Sequence, residues 1–177
     1  MKLKNILTFV LTLGISVSNV YANPKYQKTD SETLKKIKEI TTFKLLLPAK
    51  IPSNWTLEIK YPYPLEITKP ITKVRLHYFD KDESYMLGIE QFKASGYVTK
   101  EEIRIDPTGN QIHQLTAEKF LPDLSGEILY VNGHQGRFMP TQPKGGDLWW
   151  IENDTFIRMN SLILTKEEML KIAIVMK

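Results

Sequence analysis

The sequence contains no cysteine. That absence excludes a disulfide framework, a thiolate metal centre and a lipid anchor carried on an N-terminal cysteine, so stability has to come from a hydrophobic core. Histidine is scarce: His77, His113 and His134 are the three present. No two of them stand at a metal-ligand spacing such as His-x-x-x-His, and each reads as a surface residue in or near a strand. Long apolar runs are scarce as well. The one clear run, Ile6 to Val17, is about a dozen residues, short of the roughly 20 that a stable bilayer span requires. Charge of one sign is not in excess. The chain carries 24 Lys+Arg against 20 Asp+Glu, without the concentrated basic face that nucleic acid binding demands.

Catalytic signatures are missing too. There is no Gly-x-Ser-x-Gly elbow and no Ser-x-x-Lys with partner motifs, and Ser125-Gly126 reads as a turn. Gly145-Gly146 is a lone pair in a loop, not a phosphate cradle. Asp80, Asp82 and Glu83 crowd one segment but lack the glycine and distal glutamate of a calcium loop, so they read as a solvated hairpin tip. A pair of carboxylates that meets only in space is invisible at this level. No cofactor is implied.

The chain opens on Lys2 and Lys4, continues into the apolar run and reaches Val20-Tyr21-Ala22, with small or β-branched residues at −3 and −1. This is the pattern of a secretory signal peptide cleaved after Ala22. Export is the expected fate. Removing 22 of the 177 residues leaves 155, enough for one domain with its own core. Losing Lys2 and Lys4 leaves 22 basic residues against 20 acidic ones, a net charge of only +2.

The expected organisation is a signal peptide over 1–22, a polar linker over 23–28 and a single domain over 29–177. Thr29-x-x-Glu32 is a capping box that starts a helix, with Leu34, Ile37 and Ile40 on one face and Lys35, Lys36 and Lys38 on the other. Phe43–Leu47 is a short apolar run closed by Pro48. Trp55 to Tyr61 alternates apolar and polar residues as a half-buried strand does, and so does Lys73 to Phe79. A turn over Asp80–Ser84 returns the chain as a partner strand to Phe92. Shorter strands are expected over 102–105 and 111–115, on either side of Asp106-Pro107-Thr108-Gly109. Asn132-Gly133 is a type I′ hairpin signal between 127–131 and 134–139, because both residues tolerate positive φ. A second hairpin joins 147–151 to 155–159 through 152–154. Thr165-x-x-Glu168 then caps a last helix, with Leu170, Ala173 and Ile174 as its core face. Strands joined by short turns between two helices predict an α+β fold, an antiparallel sheet with both helices packed on one face.

Trp149 and Trp150 are adjacent in an expected strand and must point to opposite faces. Burying both requires cover on both faces of the sheet, which is the commoner arrangement. An exposed ring near Tyr61 or Tyr63 would instead make a stacking platform. Trp150, Tyr61 and Tyr63 are therefore the candidate contact residues.

Leu47-Pro48 with Ile51-Pro52-Ser53-Asn54-Trp55, the run Leu148–Glu152, Phe156–Met159 and the stretch Leu164–Ala173 together carry a likeness. In these motifs the chain resembles a family of uncharacterised domains from exported and membrane-attached proteins of Gram-positive bacteria. Asn54 stands where that family usually has glycine. The resemblance implies settings beside anti-sigma-factor-like or lipoprotein-carrier-like proteins, hence binding or sensing, and it brings no catalytic residues. The function expected is an exported, non-enzymatic binding or sensing domain at the cell envelope, whose partner is an envelope protein or surface ligand. A lipid or glycan carrier with an aromatic-lined groove and an envelope hydrolase are the alternatives.

Overall fold

The computed structural model describes residues 31–60 and 70–177. The signal peptide, the linker, Thr29 of the first capping box, and Tyr61 and Tyr63 lie outside the described residues. The elements in chain order are α1 (Ser31–Ile40), β1 (Thr56–Lys60), β2 (Lys73–Phe79), β3 (Tyr85–Lys93), β4 (Tyr97–Ile105), β5 (Gln111–Lys119), β6 (Glu127–Val131), β7 (His134–Pro140), β8 (Gly146–Glu152), β9 (Thr155–Ser161) and α2 (Lys166–Ala173).

Seven strands form one antiparallel sheet in the order β1-β2-β3-β9-β8-β7-β6. Two meanders, β1-β2-β3 and β6-β7-β8-β9, are thus joined side by side at β3 and β9. Among the described residues strand accounts for 49% and helix for 12%. The α+β expectation is therefore corrected: the protein is mostly β. The reason is physical. The two helices are only ten and eight residues long, and an extended segment shares with them the task of covering the sheet. Among the described residues no helix is long and apolar enough to cross a membrane.

The inner face follows the period-2 alternation. Val74, Leu76 and Tyr78 of β2, Leu87 and Ile89 of β3, Ile157 and Met159 of β9, and Leu148 and Trp150 of β8 are buried together. Ile37 of α1 and Met169 and Ala173 of α2 join the same cluster, as do Leu45 and Leu46 from the run between α1 and β1. This run crosses the inner face as an extended strap. Its end pairs with the end of the chain: the Leu47 N–H donates to the Lys177 carbonyl and the Lys177 N–H to that of Leu47, both at 3.0 Å.

Turn chemistry sets the hairpins. Asp80 Oδ1 accepts from the N–H groups of Asp82 and Ser84 at 2.9 Å each, closing the β2–β3 tip. Asn132 (φ 49°) and Gly133 (φ 82°) form the β6–β7 turn, with positive φ at both positions. The β8–β9 turn is tighter than the three residues expected, with Asn153 (φ 49°) and Asp154 (φ 60°) alone between the strands. β4 and β5 are longer than expected and make a separate two-stranded arm, in register from Tyr97↔Lys119 to Ile105↔Gln111.

Candidate functional site

The outer face of the sheet is divided. Over β8 and β9 it is covered: Phe92, Trp149 and Phe156 form a second small core, and Phe120 packs edge-on against Phe92 with ring centroids 4.8 Å apart. The chain leaving β5 holds this cover down, because the Trp149 indole N–H donates to the Asp123 carbonyl at 3.0 Å. Over β2, β3 and the far half of β9 nothing among the described residues covers the sheet, and a cleft of about 500 Å³ opens there.

Strand register builds the cleft. One cross-strand row runs Lys60, Arg75, Glu90, Arg158, from β1 to β9. The next runs Glu58, His77, Gly88, Asn160, Asp147, from β1 to β8. Neighbouring strands lie about 4.8 Å apart, so these charges stand within reach of one another. Gly88 forms the floor. Tyr85 reaches across it and its hydroxyl donates to Asn160 Oδ1 at 2.8 Å. A Cβ at position 88 would collide with both partner atoms, so glycine is what lets this bond form. The His77 ring stands edge-on to Tyr85, with centroids 5.3 Å apart.

Both arginines are braced from behind. Arg75 Nε donates to Glu90 Oε2 at 2.5 Å, and Lys73 Nζ lies 3.3 Å from Glu90 Oε1. Arg158 Nε donates to Asp147 Oδ1 at 2.9 Å. Burial pushes the Glu90 carboxyl up, but the Arg75 hydrogen bond and the charges of Lys73 and Arg75 outweigh it and hold the group below the usual carboxylate range. The Asp147 bond raises the Arg158 guanidinium above its ordinary value despite partial burial. Burial lowers the His77 imidazole below its ordinary value, and the charges of Lys60 and Arg75 add to this while Glu58 opposes it. Among the described residues the terminal guanidinium nitrogens of both arginines and Asn160 Nδ2 have no protein partner. The cleft is a surface of donors.

Comparison with family models, with curated proteins and with solved structures gave no significant match. The site therefore has to be read from its own chemistry.

The residues expected from sequence fall elsewhere. Trp150 is 1% exposed and belongs to the inner core, so its expected role as a contact residue is corrected. Trp149 is 7% exposed beneath the outer cover. The two rings do point to opposite faces, and both faces are covered where they lie. A smaller cleft of about 240 Å³ beside Leu124 and Ile151 has both tryptophan residues in its lining. Tyr61 and Tyr63 lie outside the described residues. The three histidines are not brought together: His77 lines the cleft, His113 is exposed on β5 and His134 is half-buried at the start of β7. No group of three or more His, Cys, Asp or Glu side chains among the described residues is placed to hold a metal ion. Sequence reading gave His77 as a surface histidine and assigned no contact role to Arg75, Gly88, Arg158 or Asn160. Their only local signal was alternation within β2, where Arg75 and His77 occupy the polar positions opposite Val74, Leu76 and Tyr78.

Proposed function

We propose that this chain is an exported binding domain of the bacterial cell envelope, and that it engages its partner through the open half of the sheet's outer face. The observation that carries this reading is the cleft over Gly88, walled by Arg75, His77, Arg158 and Asn160, with donors directed to no partner among the described residues. A volume of about 500 Å³ suits one small ligand or one side group of a larger partner. Binding is favoured over catalysis because the one carboxylate that lines the cleft among the described residues, Glu90, is ionised and committed to Arg75 and Lys73. A carboxylate so engaged is a brace and a poor general base. The carrier alternative loses its exposed tryptophan, since both indoles are buried.

Two measurements test the reading. Fractionation of cells that make the protein, with mass determination of its N-terminus, should find the chain outside the cytoplasm and beginning at Asn23. A chain confined to the cytoplasm and retaining Met1 overturns export. Backbone amide NMR of the protein with soluble envelope extract should shift Gly88, Glu90 and Asn160. Shifts confined to 121–131 would move the site to the covered half of the face and overturn its assignment to the cleft.

A further inference from the structure

The geometry points to a phosphate monoester on a small soluble molecule as the group that the cleft takes, gripped between the terminal nitrogens of Arg75 and Arg158. This rests on the reading of the cleft as a binding site and names its ligand chemistry.

The first argument is donor geometry. Each guanidinium is fixed at Nε by a carboxylate, Glu90 for Arg75 and Asp147 for Arg158. Fixing Nε sets the plane of the fork and leaves the two terminal nitrogens to a ligand. The arginines stand two strands apart, on β2 and β9, in one cross-strand row with Glu90 of β3 between them and Gly88 in the neighbouring row. A planar carboxylate satisfies one fork bidentately. Two forks on either side of β3 are better met by a tetrahedral group with three terminal oxygens, and arginine is suited to such phosphate pairing.

The second argument is charge. Lys60, Arg75 and Arg158 line the cleft against one carboxylate, Glu90, among the described residues, while Glu58 and Asp147 pair with Lys60 and Arg158 from outside the lining. The lining itself is positive. A phosphate monoester, carrying about −1.5 to −2 at neutral pH, matches the two forks better than a neutral sugar or a single carboxylate. Asn160 supplies a further donor. Because the Tyr85 hydroxyl donates to Asn160 Oδ1, the Asn160 amide presents its NH₂ group as a further donor beside Arg158. The size argues for a small molecule: a cavity of about 500 Å³ holds an ester of sugar or polyol size, whereas a lipid surface would meet a flat or convex patch.

The test is calorimetric titration of the protein as its cells make it, at fixed ionic strength, with glycerol 3-phosphate, glycerol, acetate and vesicles of phosphatidylcholine with phosphatidic acid. Binding of glycerol 3-phosphate with glycerol and acetate silent is the expected result. Arg75→Gln and Arg158→Gln should each weaken it by about tenfold or more, the loss of a charge-assisted bond. Arg158→Lys keeps the charge and loses the fork, and should also weaken it. Both arginines are about half exposed, so the variants retain the core, which circular dichroism checks. Acetate binding as tightly as the phosphate overturns the phosphate assignment and leaves the cleft as the site. Affinity for the vesicles alone overturns the soluble ligand. Phosphate binding untouched by either arginine variant overturns this proposal and removes support for the cleft itself. No phosphate binding, with NMR shifts from envelope extract still at Gly88 and Asn160, overturns the phosphate alone.

Discussion

Gln91 is fully buried, and its amide does for the strap what a neighbouring strand would do. Its Oε1 accepts from the Leu46 N–H at 2.9 Å and its Nε2 donates to the Leu46 carbonyl at 2.7 Å. Thr155 Oγ1 adds a bond to the Lys44 carbonyl at 3.1 Å. Gln91→Leu should destabilise by about 2–4 kcal/mol, since it leaves a buried N–H and a buried C=O unpaired. A lower urea midpoint with an unchanged slope would show it. His77 gives a pH prediction. It is faced by Glu58 and Lys60 of β1, Arg75 of β2 and Tyr85 of β3. Its folded pKa lies below the ordinary 6.5. The unfolded chain therefore binds the proton first as pH falls, so His77 leaves stability intact above about pH 6.5 and erodes it as pH drops through that value toward the folded pKa. The wild-type should lose more stability than His77→Gln between about pH 7 and pH 5, as read from urea unfolding at each pH. None of this was legible beforehand. A glutamine in a strand shows no sign of being buried until its tertiary partner is known.

Local chemistry was the most legible. The α2 capping box is present as the sequence implies: the Glu168 N–H donates to Thr165 Oγ1 at 3.2 Å, and the Thr165 N–H to Glu168 Oε2 at 2.8 Å. Thr165→Ala should cost about 1 kcal/mol, seen in the same unfolding experiment. The Asn132-Gly133 turn was equally readable, because positive φ leaves a composition signal. The core face of α2 was read correctly at Leu170 and Ala173, missed Met169 and failed at the helix end. The helix stops at Ala173, so Ile174 sits at the C-cap and is 51% exposed. β4 and β5 were read too short for a different reason. Alternation marks a strand with one buried face, and the side chains of the arm that are described show none: Tyr97 is 77% exposed, Ile103 57% and Ile105 72%. A free-standing hairpin is marginal in water, yet this one is anchored at its base, where the Asp154 carboxylate accepts from the Ser95 N–H at 2.9 Å and from its hydroxyl at 2.6 Å. Asp154→Gly keeps the positive φ and removes the anchor. Amide exchange should then quicken at Tyr97 and Lys119 and stay unchanged in β8 and β9.

At the scale of the molecule, antiparallel order was legible and class was not. Two capped helices in a sequence suggest α+β, but whether they form a layer depends on what else covers the sheet, and here the strap over 43–47 takes much of that role. The cleft was illegible because it is a product of register. Its residues come from β1, β2, β3 and β9, and each segment alone shows only ordinary polar positions. The arm lies outside both cores, so replacing Tyr97–Lys119 with a short turn should leave the main sheet folded, with a melting temperature within a few degrees of the parent. A collapse of cooperativity on heating would show that the arm supports the sheet.

The junction of β3 with β9 has a consequence in time. A ribosome releases β3 (Tyr85–Lys93) well before β9 (Thr155–Ser161), at about 5–20 residues per second. Through that interval Leu87 and Ile89 belong to a half-sheet with a bare central edge. The edge of β3 therefore lacks its partner until the last hairpin arrives.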